Sequence, residues 1–391
     1  MGCRRLPCVW AGLLTLAACV RSPSTADHNL LDAAWKEYVR AYVHADGYVL
    51  DRTRGGGEVT SEGQAYALLR AAWMGDLATF ERVLRWTDER LRRPDGLVSW
   101  RWAPGGAGRL LDVNSATDAD ADLAFALIVA AARFERPSYL VRAREAVRAI
   151  RMASSIGVPA GWFPSAGNWA TTSRVVNLSY FTPYAYPYFE AIDPDGGWRE
   201  VTTIGYGLLD AAVRAPRRLP PDFMAIDLDG QIAQPTDPGL SRTFSFDAVR
   251  TYWRVELDCR LHGGDRACQH PSADGVTEIL RREGRLATEY DVTGRRLTNG
   301  ESLTFDACML PMLERRAPDL AAMLRRTRLA TESVRPLLHR TDRYYDLNWI
   351  WFGLALADGV VLDHTPRVDD IRGMAESMPA LESRTSPGVT R

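Results

Sequence analysis

From residue 30 to about residue 360, apolar side chains recur at intervals of three and four, the repeat that lines one face of an α-helix. The pattern predicts helices over residues 65–73, 80–91, 122–134, 141–153, 205–213, 246–257, 303–313, 320–330 and 344–357. Between them lie turn formers, as in Arg54-Gly-Gly-Gly57, Gly105-Gly-Ala-Gly108, Asp193-Pro-Asp-Gly-Gly197 and Asp237-Pro-Gly239. Many short helices joined by substantial loops predict an all-α architecture rather than a parallel sheet with crossovers. The chain shows no fixed sequence period, so a closed barrel of helical hairpins is expected in preference to an open solenoid.

The two ends break this pattern. Arg4 and Arg5 precede the apolar stretch Trp10-Ala-Gly-Leu-Leu-Thr-Leu16, which runs into Ala17-Ala18-Cys19, the layout of an export signal. That stretch is shorter than the ~20 residues that span a bilayer. Leu16-Ala17-Ala18-Cys19 resembles the cleavage and lipidation box of bacterial lipoproteins. The resemblance implies that residues 1–18 are a signal peptide and that Cys19 becomes the acylated first residue. Residues 19–29, polar and containing Pro23, are then a tether. Val20 after the cysteine implies, in that pattern, an outer-membrane lipoprotein; a periplasmic or secreted protein is the alternative. Residues 30–365 read as one domain and 366–391 as a flexible tail.

Composition narrows the classes further. Apolar residues make up 46% and charged residues 25%, a globular balance. The 48 basic and 49 acidic side chains are interspersed, with no basic field of the kind that binds nucleic acid. Cys259 and Cys268 bracket a polar, glycine-containing turn that an oxidising compartment would allow to close as a disulfide; Cys308 leaves other pairings open. No cysteines have zinc-site spacing.

Three acidic positions stand out. In Thr60-Ser-Glu-Gly-Gln-Ala-Tyr66, Ser61 and Gln64 read as a capping box, which puts Glu62 at the start of a helix. In Asn114-Ser-Ala-Thr-Asp-Ala-Asp-Ala-Asp122, Thr117 and Asp120 read the same way. Asp118 and Asp122, four apart, share one helix face while Asp120 points elsewhere. The acid run lacks the glycine and distal glutamate of an EF-hand loop. In Ser241-Arg-Thr-Phe-Ser-Phe-Asp-Ala-Val-Arg250, Asp247 sits among apolar residues, three before Arg250, where a plain ion pair within a helix is the ordinary reading. Hydrolysis of a glycosidic bond needs one protonated carboxyl and one carboxylate. A helix start by itself would lower the pKa of Glu62, so acid chemistry there requires burial or a like charge nearby, for which Asp118 is a candidate. The 12 tryptophans and 14 tyrosines, several in loops such as Trp102 and Trp169, supply flat faces that can stack on sugar rings.

Taken together these segments resemble glycoside hydrolase family 8, in its cellulase-like branch. The resemblance rests on 116–130 with Phe134 following, on Ser61-Glu-Gly-Gln64, and on Phe246-Asp-Ala-Val-Arg250, where a tyrosine often occupies the Phe246 position. Asn177-Leu-Ser-Tyr-Phe181, Leu219-Pro-Pro-Asp-Phe223 and the helix starting at Tyr344-Tyr345 extend it over roughly residues 35 to 358. It implies an (α/α)6 barrel of six helical hairpins and an inverting endo-acting enzyme on β-1,4-glucan. Glu62 would be the general acid and Asp247 the general base, with Asp118 holding the sugar. Tyr180 and Arg250 would organise substrate, water and base, with Trp102, Trp169 and Asn177 as further substrate contacts. No metal or other cofactor is required. Chitosan or xylan as substrate, or a noncatalytic surface polysaccharide-binding lipoprotein, are the alternatives. A chitosanase would use extra cleft acids, for which Glu58, Asp112 and Asp193 are candidates.

Overall fold

The computed structural model describes residues 25–378 except 55, 107 and 217, with side chains described from residue 30 onward. Residues 1–18, expected to be a signal peptide, and Cys19 lie outside the described residues. The chain forms helical hairpins in sequence order: α1 Thr25–Tyr42 with α2 Ser61–Met74, and α3 Leu77–Arg90 with α4 Thr117–Arg133. The order continues with α5 Ser138–Ala153 and α6 Tyr186–Ile192, α7 Trp198–Ala212 and α8 Arg250–His262, α9 Ser272–Glu283 and α10 Leu303–Arg316, and α11 Pro318–Thr327 and α12 Tyr344–Ala357.

Burial separates two layers. The second helix of each pair is buried almost all round, as in α2, α4, α8, α10 and α12. The first helices bury one stripe and show a polar face, as in α3, α5 and α11. Helices that are apolar all round belong inside and amphipathic ones outside, which is the physical reason for a double ring. Close approach is built in: at Gly353 of α12 any Cβ would overlap the Ala307 carbonyl of α10. Inner helices run parallel, so their N-termini gather at one end of the barrel. There Tyr66 of α2 packs edge-on against Trp349 and Phe352 of α12. Outer α1 runs the other way, with Tyr42 on Tyr344 and the Leu31 carbonyl accepting from Trp351 Nε1 at 3.3 Å.

Short antiparallel ribbons fill the loops. β1 Val59–Thr60, β2 Arg101–Ala103 and β3 Arg109–Asp112 form one beside the start of α2, with Thr60 opposite Arg101. Strands of two to four residues leave too few positions for an alternating pattern, so the sequence reading did not contain them.

Several boundaries differ from expectation. The helix expected over 246–257 begins only at Arg250, because residues 245–249 form a turn held by side-chain and backbone bonds. The tether expected over 19–29 is already helical from Thr25. The tail expected over 366–391 begins with α13 Val368–Glu376, whose Ile371 and Ala375 are buried. Its approach is fixed by Tyr188 of α6, which donates to the Pro366 carbonyl at 2.7 Å. Residues 379–391 lie outside the described residues. Cys259 and Cys268 form a disulfide and Cys308 is a buried free thiol. Among the described residues no helix is long and apolar enough to cross a membrane.

Candidate active site

Each of the three acids reaches the end of the barrel where the inner helices start, and each does so by a different local device. Thr60, not Ser61, caps α2: its Oγ1 accepts from the Gly63 amide at 3.0 Å, which places Glu62 in the first turn. The expected Ser61–Gln64 box does not form. Gln64 is fully buried and satisfies other groups, accepting from the Val49 amide at 2.6 Å and donating to Thr87 Oγ1 at 2.7 Å. The Thr117–Asp120 box does not form either. Ala116 precedes α4 without a side-chain cap, and Asp120 Oδ1 instead accepts from the Val98 amide at 2.9 Å. Asp247 stands in the turn before α8, closed by the Arg250 amide on the Asp247 carbonyl.

Arg250, 1% exposed, joins them. Its Nη1 donates to Glu62 Oε2 at 2.6 Å, to Asp118 Oδ2 at 3.1 Å and to the Tyr66 hydroxyl oxygen at 3.3 Å. Its Nη2 donates to Asp247 Oδ1. The ion pair read locally between Asp247 and Arg250 therefore exists, but as one arm of a three-acid cluster spanning α2, α4 and α8. Side-chain exposure grades from 3% at Asp118 to 25% at Glu62 and 32% at Asp247, so the last two reach solvent.

One guanidinium cannot neutralise three carboxylates. Burial raises the pKa of Glu62 and of Asp118; Arg250 opposes it, and the neighbouring acids add to it, Asp118 for Glu62 and Asp122 with Asp247 for Asp118. Burial pushes Asp247 up to about 6 against the pull of Arg250, with Asp222 and Glu62 adding to the rise. A cluster with more acids than cations in a poorly solvated site favours keeping a proton on one of its carboxyls, which is what a general acid beside a general base needs.

The profile of glycosyl hydrolases family 8 matches residues 5–275. The chain belongs to this family. An endoglucanase of Xanthomonas axonopodis pv. citri (strain 306) is 29% identical over 331 residues, covering 81% of this chain and 84% of that one. A protein described as "Probable endoglucanase" from Novacetimonas hansenii is 35% identical over 229 residues, 56% of this chain and 66% of that one. The structure of an endo-1,4-D-glucanase from Vibrio fischeri ES114 superimposes with a TM-score of 0.71 at 22% identity, covering 82% of this chain and 93% of that one. The fold of this family 8 hydrolase is the (α/α)6 barrel.

The other expected site residues of the hydrolase divide. Tyr180 belongs to the cluster: the Arg250 guanidinium carbon lies 5.5 Å from its ring centre. Asn177 is buried, and its Oδ1 accepts from the Ser179 amide and hydroxyl at 2.9 and 2.8 Å, capping the turn that presents Tyr180. Trp169 is 40% exposed, on a turn tied to the approach of α4 by Asn168 Oδ1, which accepts from the Ser115 amide at 2.7 Å. Trp102 is a correction. It is 8% exposed, edge-on to Trp86 and tilted on Tyr48, and roofed by Gly108, whose φ of +71° and lack of Cβ let the backbone lie on the ring. It is core of the β1–β2–β3 ribbon, because the ribbon needs an apolar underside to rest on α3.

Sequence reasoning missed the partners of the acids. Tyr66 and Asp222 went unassigned, as did a second pair one helical turn deeper. There Arg254 donates to both oxygens of Asp122 at 2.8 Å, and Tyr184 donates to Asp122 Oδ1 at 2.7 Å. One signal was available: Asp118 and Asp122 are four apart, and so are Arg250 and Arg254, the spacing that stacks rungs between two helices.

Proposed function

We propose that this hydrolase is an inverting endo-β-1,4-glucanase in which Glu62 is the general acid and Asp247 the general base. The observation that carries the proposal is the three-to-one ratio of carboxyls to guanidinium around Arg250. In an inverting reaction Glu62 gives its proton to the leaving oxygen while Asp247 takes one from the attacking water, the carboxyls standing about 6.5–9.5 Å apart to admit it. Negative charge therefore moves from Asp247 to Glu62. Arg250 touches both, so it bonds the Asp247 carboxylate before the step and the Glu62 carboxylate after it, while Asp118 stays on the same guanidinium throughout. Asp118, nearly fully buried on the same nitrogen, holds the proton affinity of Glu62 up.

The names of the relatives favour a glucan. The acids that a chitosanase would use are already engaged, which argues the same way. Glu58 accepts from Arg101 at 2.7 and 3.0 Å, Asp193 from Arg148 at 2.8 Å, and Asp112 from the Asn114 amide at 2.9 Å. The test is release of new reducing ends by the purified domain from carboxymethyl-cellulose, mixed-linkage β-glucan, chitosan and xylan in parallel. Cleavage of the glucans and not chitosan is expected; a folded enzyme that cleaves only chitosan or xylan would reassign the substrate, and one that cleaves none would favour a binding role.

The reading of Cys19 as a lipidated residue of an outer-membrane protein has a geometric consequence. The start of α1 lies at the end of the barrel away from Tyr344 and the acids, since Leu31 meets Trp351 and Tyr42 meets Tyr344. A lipid at Cys19 would then direct the cleft away from the bilayer. Cys19→Ala should move the protein from the membrane fraction to the soluble one; retention in the membrane would remove the anchor.

A further inference from the structure

The turn that carries Asp247 is stitched from outside the cleft by a residue with no place in the reaction just described. Asp222 lies in the segment Leu219-Pro-Pro-Asp-Phe223 and is 1% exposed. Its Oδ1 accepts from the Ser245 amide at 3.0 Å and the Ala248 amide at 2.8 Å, the two residues that flank the Phe246–Asp247 tip. Its Oδ2 accepts from Ser241 Oγ at 2.6 Å and from Ser245 Oγ. Four donors on one side chain are the pattern of an ionised carboxylate, which has only acceptors to offer. The backbone adds two more ties, the Asp222 amide on the Thr243 carbonyl at 2.7 Å and the Phe223 amide on the Ser241 carbonyl at 3.0 Å. The next residue reaches the other side of the site: the Phe223 ring packs edge-on against Tyr180, 6.5 Å between centres, and Tyr180 lies beside Arg250.

We infer that Asp222 is a positioning residue for the general base: by holding the amides of Ser245 and Ala248 it sets where the Asp247 carboxyl stands relative to the attacking water. This rests on the assignment of Asp247 as base. The argument is one of stiffness. Asp247 is not in a helix, and α8 begins three residues after it, so no regular backbone ladder fixes the turn. A displacement on the order of 1 Å at a reacting group can cost roughly a hundredfold in rate, so such a turn needs its own clamp. Asp222 is that clamp, and its charge also faces the base. The other charged or titratable groups facing Asp247 are Arg250 from α8, Glu62 from α2, Asp118 from α4, Tyr345 from α12 and Tyr180.

The experiment compares Asp222→Asn, Ser245→Ala and Asp247→Asn with wild type, activity being expressed per folded molecule and followed across pH. Asp222→Asn keeps the shape but loses the charge and part of the acceptor set. Its kcat on glucan should fall by roughly ten- to a hundredfold with KM changed less than about threefold. The acidic limb of kcat/KM, where the base gains its proton, should move to lower pH, because a negative charge near Asp247 is gone. Ser245→Ala, which removes one hydroxyl from Asp222 and leaves the charge, should lower kcat by roughly threefold and leave the limb in place. A purely architectural Asp222 would lower the melting temperature and the yield of folded enzyme without moving the limb. Full kcat and an unmoved limb in folded Asp222→Asn would therefore overturn the inference. If that variant does not fold, unchanged kcat in Ser245→Ala would overturn it instead. Asp247→Asn separates the two levels. Its inactivity, with rescue by azide as an external nucleophile, would uphold the base assignment; wild-type turnover would remove that assignment and the inference with it.

Discussion

Two rungs join α4 to α8, built from the same residue types at the same spacing. The upper pairs Asp118 with Arg250 and the lower pairs Asp122 with Arg254, one helical turn further in. The lower is closed: one cation, one carboxylate held through both oxygens, and a tyrosine that donates to the acid while accepting from Arg254 at 2.7 Å. All three side chains are buried and the charge balances. The upper rung sits where helices end and loops begin, so Glu62 from α2 and Asp247 from the preceding turn can also reach the cation. The proposed chemistry thus falls at the rung with surplus acid and access to solvent. The balanced rung beneath it carries structure, and supplies a rigid floor that keeps Arg250 in register.

The largest effect that would sharpen this contrast is on turnover. Glu62→Gln removes a transferable proton but not the hydrogen-bond acceptor facing Arg250. Activity on an unactivated glucan should drop by roughly a thousandfold, while circular dichroism and the melting temperature stay near wild type. Wild-type turnover in the folded variant would break the acid assignment.

The lower rung should respond in stability. Asp122→Ala leaves Arg254 buried without its counter-charge, a change expected to cost about 3–5 kcal/mol in denaturant unfolding. Replacement of both Asp122 and Arg254 by apolar residues of similar size should recover much of that loss. If Asp122→Ala were neutral, the rung would not be the floor described.

A smaller effect tests the third acid of α4. Asp120 faces away from both rungs; burial pushes its pKa up to about 8, against the Val98 amide that favours its charge. The native state therefore holds a proton that the unfolded chain releases near pH 4. Stability from this group is present below about pH 4, declines as pH rises through that range, and is fully lost above about pH 8. Asp120→Asn keeps an acceptor for Val98 and abolishes the titration, so the fall in unfolding free energy between about pH 4 and pH 8 should flatten. An unchanged slope would place the buried proton elsewhere.

Legibility followed the range of the interaction. Helices over 80–91 and 141–153 could be read because their one buried stripe follows from apolar side chains three and four apart, and those over 65–73, 122–134, 303–313 and 344–357 because they are apolar nearly all round. The acids Glu62, Asp118 and Asp247 stood out as polar residues in apolar settings, together with a resemblance over ordered motifs. Both capping boxes failed although their residue types were right, because Gln64 and Asp120 found amides in loops 15 and 22 residues away in sequence. Trp102 and Trp169 look alike in sequence; whether a loop tryptophan is core or rim depends on what lies beneath it, here Tyr48 and Trp86 under one and solvent over the other.

By itself the sequence determined the all-α class, the order of the helices and which acids deserve notice, since periodicity and local composition act over a few residues along the chain. Only the tertiary structure decided that Arg250 serves three carboxyls drawn from positions 62, 118 and 247, that Asp222 holds the turn of Asp247, and that Asp122 and Arg254 neutralise each other. Charge balance is a property of what meets in space at low dielectric, and no spacing along one chain segment specifies it.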